Sequence, residues 1–410
     1  MKAVVATALA AASLLGTTAL ASADPLKIAI IESLSGSQTS TGRLYATASH
    51  YVIDKLNAAG GYNGEPIIVT EYDSGGNTAG ASAKFKQAVA DGANIVIQGS
   101  SSAIAGQISE DVRKHNLRNK GSEVLFLNVG GEAMELTGDK CHFHAFRFTT
   151  TAPIRVGALV SVMKDQETLG TRVYSINQNY SWGQDMQKAI EADAQRGGYE
   201  VVETVLHDVN RIQDFSPFVA KIQAAKPDTV ITGNWSNDLL LLMKATGDSG
   251  LKVRFGTAFL DQPGNIGNAG EVAIGHYVAH PYNIELSKTS FPQDYEKVTG
   301  HLPTYVEPGT VNGLTMLGKA LDATSVKGGK VDADKIALAL EGVTLDTDIG
   351  TLSMRKADHQ VLLPVVVSEV SRDVKYPVDG TDMGFKPVKV IPADQATYPA
   401  QDSCQMKRPS

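Results

Sequence analysis

The 410-residue sequence predicts an α/β protein of two doubly wound, mainly parallel-sheet lobes. Three observations carry this. Short β-rich runs alternate strictly with helical patterns, as in parallel sheets connected by helices. The strand runs are continuously apolar, as expected where helices cover both faces of a sheet. The length exceeds what one hydrophobic core usually supports, so two cores are expected.

The rhythm begins at Lys27-Ile28-Ala29-Ile30-Ile31, a short strand. A polar loop over residues 32–42 leads into a helix on which Leu44, Ala48, Val52 and Leu56 recur every four residues along one face. Ala59-Gly60-Gly61 ends it, because glycine takes up the left-handed backbone that closes a helix. Strands are then expected at 66–70, 94–97 and 124–127, with helices at 78–91 and 103–115 between them. After Phe148 the rhythm resumes. A helix from Pro153 precedes strands at 172–176, 200–206, 229–232 and 253–257, with helices from Gly183, at 217–225 and at 238–246. Residues 291–341 read as mainly helical, and 362–370 as one late strand.

The first residues set the compartment. Lys2 precedes an apolar or small-residue stretch over 3–20, which ends in Ala21-Ser22-Ala23 before Asp24-Pro25. This is the pattern of a signal peptide over residues 1–23. The apolar run is short and Ala-rich for a spanning helix. No cysteine follows the cleavage site, so a soluble, periplasmic mature chain from about Asp24 is expected. The full chain carries 37 Lys and Arg against 44 Asp and Glu; without Lys2 the count is 36 against 44, a net charge of −8. That acidic balance argues against nucleic acid or an anionic membrane surface as partner.

Two cysteines, Cys141 and Cys404, invite a disulfide in an oxidising compartment, although two unrelated thiols would read the same. The bond would staple the polar tail, 396–410, to the body. The tail looks independent of the core, so losing the bond is expected to leave ligand affinity nearly unchanged.

No dinucleotide fingerprint, P-loop, nucleophile elbow, H-E-x-x-H or C-x-x-C motif is present. His142 and His144 could share one side of a strand, yet no third or fourth metal ligand is evident, so surface or interlobe histidines are expected. No enzyme activity, metal or cofactor is expected. What remains is a set of loops at the carboxyl ends of strands, where open α/β sheets bind small ligands. In Gly99-Ser100-Ser101-Ser102 the hydroxyls and the free N–H groups of the following helix suit a carboxylate, with Ser102 the best candidate. A plain N-cap serine would look identical in sequence.

These features have a family likeness. Leu34-Ser35-Gly36, Ile53-Asp54-Lys55-Leu56-Asn57-Ala58-Ala59-Gly60-Gly61, Glu71-Tyr72-Asp73, Val96-Ile97 before the serine loop, Tyr180-Ser181-Trp182-Gly183 and Asp214-Phe215 occur in order over nearly the whole mature chain. In them the sequence resembles the branched-chain, Leu/Ile/Val-type amino-acid binding proteins of ABC importers. The resemblance implies a type I periplasmic binding protein (Venus-flytrap) fold, with two lobes joined by three hinge crossings near 147–149, 279–282 and 346–350. Lobe 1 would hold 26–148 plus 281–348, and lobe 2 would hold 149–280 plus 349–395. It implies a monomer that binds one small molecule and delivers it to ABC permease subunits.

The resemblance also implies site residues. Ser102 matches the serine that holds the ligand carboxylate, and Gly130 and Glu132 match the positions that hold the ammonium. Trp182 and Trp235 match two aromatics that close over the ligand, although core packing is the alternative for both. Tyr305 matches a wall residue, and Thr41 a contact from the first loop. One position departs: the second-lobe Glu expected to meet the ammonium is Ala258. A buried ammonium without an anionic partner is costly. Either Glu132 or Asp261 supplies the charge, or the ligand lacks an ammonium. The segment 141–147 resembles a branch of the family associated with aromatic acids, which keeps that ligand class open. A sensory domain, or an enzyme using Ser102, Glu132 or His142, is a further alternative.

Overall fold

The computed structural model describes residues 24–409; the expected signal peptide lies outside the described residues. Lobe 1 opens with β1 (Lys27–Glu32), α1 (Thr39–Ala58), β2 (Ile68–Asp73), α2 (Thr78–Ala90), β3 (Ile95–Gln98), α3 (Ser102–Arg118), β4 (Leu125–Asn128) and β5 (Ala145–Arg147). Lobe 2 follows with α4 (Ala152–Asp165), β6 (Arg172–Gln178), α5 (Ser181–Ala192), the single turn α6 (Ala194–Gly197), β7 (Glu200–His207), α7 (Ser216–Ala225), β8 (Thr229–Thr232), α8 (Ser236–Ser249), β9 (Arg254–Thr257), α9 (Asn265–Ala269) and β10 (Tyr277–His280). The chain returns to lobe 1 for α10 (Phe291–Thr299), α11 (Glu307–Thr324), α12 (Ala333–Leu340), β11 (Thr344–Thr347), β12 (Gly350–Arg355) and β13 (Gln360–Leu362). It ends in lobe 2 with β14 (Val365–Ser371) and β15 (Gly384–Ile391).

The first sheet has the order β11-β12-β13-β5-β4-β3-β1-β2, and the second β15-β14-β10-β9-β8-β6-β7. The five-strand cores, β2-β1-β3-β4-β5 and β7-β6-β8-β9-β10, are parallel and wound in the same order. Their central strands β3, β4, β8 and β10 are buried at every residue, which is why they carry no alternation. Each core reverses direction once, between β1 and β3 and between β6 and β8. Loops diverge at such switch points and leave a crevice at the carboxyl ends of the strands.

The third crossing lies later than expected. Asp346 and Gly350 lie inside an antiparallel hairpin in which β11 pairs with β12; β12 pairs with β13 and β13 with β5, so residues 344–362 belong to the first sheet. The chain passes to the second sheet at Leu363-Pro364, near the start of the run expected as one strand; residues 365–370 do form one strand, β14, and only Leu362 belongs to β13. Proline has no N–H to give a ladder, and here the apolar run is divided between two sheets. Uniform hydrophobicity conceals such a division.

Candidate ligand-binding site

The two switch points face each other. Thr41, Tyr45, the 99–102 loop, Gly130, Glu132 and Tyr305 come from lobe 1; Tyr180, Trp182, Trp235 and Phe259 come from lobe 2. Together they enclose a cavity of about 20 Å³, room for roughly one water. The lobes are therefore closed on each other. All seven residues singled out in the sequence, Thr41, Ser102, Gly130, Glu132, Trp182, Trp235 and Tyr305, line this one cavity. A larger groove of about 650 Å³ lies elsewhere, between α4, α5 and the C-terminal tail, without the aromatic walls.

Ser102 is the first residue of α3 rather than its N-cap, which is Ser101. Its Oγ accepts the N–H groups of Glu132 (3.0 Å) and Ala133 (3.1 Å). With two bonds accepted, its own proton remains to be donated, next to the unpaired N–H groups of the first turn of α3. Glu32, which ends the apolar β1, holds the loop from below: its carboxylate accepts from Gly99 N–H (2.5 Å) and Ser100 N–H (3.3 Å). Burial pushes the Glu32 carboxyl up to about 7 despite these bonds.

Tyr45 fills the floor. A Cβ on Gly130 would lie 1.9 Å from the Tyr45 hydroxyl, and one on Gly99 would lie 2.4 Å from its ring. Only glycine at both positions admits the tyrosine. Burial holds the Tyr45 and Tyr305 phenols well above their ordinary range, so both are neutral hydroxyls.

The tryptophans present flat faces, because their polar atoms are already paired. Trp182 Nε1–H donates to the Gly233 carbonyl (2.8 Å), and Trp235 Nε1–H donates to the Tyr180 hydroxyl (2.7 Å). Phe259 sits between Trp182 and Tyr305, with ring centroids at 5.4 and 5.7 Å. Tyr305 and Ser236 adopt positive φ, 57° and 53°. Non-glycine residues rarely do so outside sites that hold them in place.

Glu132 lines the cavity, but its carboxylate is engaged. Arg155, from the first turn of α4, donates Nη2–H to Oε1 (2.5 Å) and Nε–H to Oε2 (2.7 Å), and the Thr149 hydroxyl donates to Oε1 (2.8 Å). Arg155 is tied to lobe 2 through the carbonyls of Ala258 (2.8 Å) and Ala279 (2.5 Å). Burial works against the Arg155 charge, and Glu132 more than offsets it, leaving the guanidinium pKa above its ordinary value. Ala258, where an acid was expected, is fully buried and contributes only this carbonyl.

Asp261 occupies an adjoining cavity of about 20 Å³ that also touches Tyr45, Glu132, Arg155 and Tyr305. His280 Nδ1 pairs with its Oδ2 at 3.0 Å, while its Oδ1 is buried without a partner. Thr41 Oγ1 is likewise buried without a partner. His142 and His144 stand apart from the cleft: His142 pairs with the Ser109 carbonyl and His144 with Asp334.

Sequence reasoning missed Glu32, Tyr45, Tyr180, Arg155 and Phe259. Three left a signal. Glu32 closes a strand otherwise buried and apolar, Tyr45 lies one helical turn beyond Thr41, and Arg155 is the one charge in the apolar run Ala152–Met163.

A family model described as periplasmic binding protein matches residues 25–375. The chain is 56% identical over 405 residues to the Leu/Ile/Val-binding protein homolog 4 of Brucella abortus, covering 98% of this chain and 97% of that one. A solved structure of the leucine-, isoleucine-, valine-, threonine- and alanine-binding protein from Brucella ovis, in a closed conformation, superposes with a TM-score of 0.88 at 56% identity, covering 94% of this chain and all of that one. An ABC-transporter solute-binding protein from Rhodopseudomonas palustris, in complex with 3,4-dihydroxybenzoic acid, shares the fold at 20% identity, with a TM-score of 0.76 over 90% of this chain and 98% of that one. These relatives are solute-binding proteins, not enzymes.

Proposed function

The chain belongs to the periplasmic binding protein family, of the Leu/Ile/Val-binding type, and from that premise we propose that it is the solute receptor of an ABC importer for hydrophobic amino acids. Its lobes close on a small carboxylate-bearing ligand, which it hands unchanged to the permease subunits. It works as an exported monomer whose leader is removed before Asp24.

The observation that carries the reading is Ser102. Its hydroxyl accepts two backbone N–H groups and must donate its proton, beside the N-terminus of α3, inside an aromatic-walled cavity. Such donors suit a carboxylate, and the paired indoles suit an apolar side chain. Asp261 supports an amino acid over a plain acid. Glu132 is neutralised by Arg155, whereas Asp261 keeps one buried oxygen unpaired and suits an ammonium. The second reading, an aromatic acid, draws on the absence of an acid at position 258.

Calorimetry separates the two. Leucine, leucinamide and 4-hydroxybenzoate are titrated into wild type and Asp261→Asn. The proposal expects leucine to bind and leucinamide to fail, with leucine weakened more than tenfold in the variant, about 1.4 kcal/mol or more. Binding of 4-hydroxybenzoate alone, indifferent to Asp261→Asn, would replace the amino-acid reading with the aromatic-acid one.

A further inference from the structure

The C-terminal tail leaves β15 in the second sheet, and the hydrogen bonds, ion pair and disulfide that tie it to the body beyond Thr397 go to lobe 1. Residues 395–398 border a groove whose wall includes α4 and α5 of lobe 2. From Tyr398 onward the attachments change side. The Tyr398 carbonyl accepts Arg355 Nη1–H (2.7 Å), and Gln401 Nε2–H donates to the Met134 carbonyl (2.7 Å). Cys404 is joined to Cys141 by a disulfide, 263 residues away in sequence. Arg408 pairs with Glu341, donates to the Lys356 carbonyl (2.7 Å) and lies over the Phe143 ring. Tyr398, Pro399 and Gln401 also border the first crossing, sharing a small cavity with Arg147, Thr151 and Gln360.

We propose that residues 392–404 form a fourth, covalently closed crossing between the lobes, and that the Cys141–Cys404 bond biases the cleft toward closure. It replaces the expectation that the tail is independent of the core and that losing the bond leaves ligand affinity nearly unchanged. One end of the strap is fixed by the ladder between β14 and β15, the other by the disulfide. Its attachments are all satisfied in the closed arrangement, which is also held by Met134 N–H donating to Asp185 (2.7 Å) and by the Ser236 hydroxyl donating to the Ser37 carbonyl (3.3 Å). Rotation of one lobe away from the other displaces the strap's two fixed ends. Cutting the covalent end removes that resistance and lets the open form gain population. A ligand that binds the closed form then binds more weakly in proportion to the lost closed fraction.

The test uses the full mature chain, as wild type and as the double variant Cys141→Ser with Cys404→Ser. Small-angle scattering of the ligand-free protein needs no ligand, so it judges the strap even if the amino-acid reading fails. A larger radius of gyration is expected in the double variant. In calorimetry with leucine, which rests on the proposed function, affinity is expected to fall roughly 3- to 10-fold. If the variant does not fold, wild type reduced by a phosphine under native conditions takes its place, with circular dichroism reporting the fold. An unchanged radius of gyration overturns the proposal. So does loss of the whole fold on reduction, because the bond would then support the core rather than the closure. Failure of wild type to bind leucine at all sinks the amino-acid reading and leaves the scattering result standing.

Discussion

Replacing Glu132 by glutamine tests how the centre of the cleft is held together. The side chain keeps its shape and one acceptor oxygen, but loses its charge. Arg155 and Glu132 are 4% and 2% exposed, so water does not screen the pair. The change leaves a buried guanidinium without an anion, whose remaining partners are neutral: the retained amide oxygen at position 132, the Ala258 and Ala279 carbonyls and the Thr150 hydroxyl. Breaking a buried pair by removing one partner costs about 3–5 kcal/mol. Retained hydrogen bonds put this case at the lower end, about 3 kcal/mol. Removing both charges avoids the orphaned cation, so the double variant Glu132→Gln with Arg155→Met should recover most of the loss. Equilibrium urea denaturation of wild type, both single variants and the double variant gives the coupling energy, expected at about 2–3 kcal/mol. Glu132 belongs to lobe 1 and Arg155 is anchored in lobe 2, so ligand affinity should fall together with stability. A single variant as stable as wild type, or a double variant whose loss is the sum of the singles, would refute the reasoning.

Gly130→Ala should abolish ligand binding, because its Cβ would sit 1.9 Å from the Tyr45 hydroxyl and force the cavity floor to move; calorimetry and a melting curve check this. Both tryptophans of the chain line the cavity, so intrinsic fluorescence should report ligand saturation directly, with Trp235→Phe removing part of the signal. Glu32 makes stability depend on pH with a definite sign. Its folded pKa of about 7 lies above the ordinary 4.5, so the folded state keeps a proton that the unfolded chain releases between those values. The Glu32 contribution therefore falls as pH rises from about 4.5 to 7, by about 3 kcal/mol at most, and denaturation at a series of pH values should show Glu32→Gln without this slope. A steeper slope in the variant than in wild type would contradict it.

The local rhythm of this protein was legible in the sequence. Apolar runs report burial, helical spacing reports a buried face, and glycine reports a turn, all through short-range physics. So four of the five strands in each parallel core could be read, β5 and β10 being missed, and so could Ser102 in the 99–102 loop; Thr41, Gly130, Glu132, Trp182, Trp235 and Tyr305 came from the family resemblance. Six of these positions follow strands, in loops or first helical turns that a doubly wound sheet brings to one crevice, and Tyr305 joins them from the segment between α10 and α11. What a side chain does there depends on its partners across the lobes, and those are set in three dimensions. Glu132 read as one of two candidate counter-charges until Arg155, 23 residues on, took both its oxygens. Ser102 read equally as a cap or a ligand contact until the 132–133 amides filled its acceptors. The late strand read from 362–370 is β14 from Val365 on, but its first residue, Leu362, belongs to the other sheet, because hydrophobicity does not say which of two sheets a residue joins. Cys141 and Cys404 suggested a stapled tail, but only the tertiary structure decided that the staple spans two lobes: a pairing says which residues meet, and the fold decides what lies on either side of them.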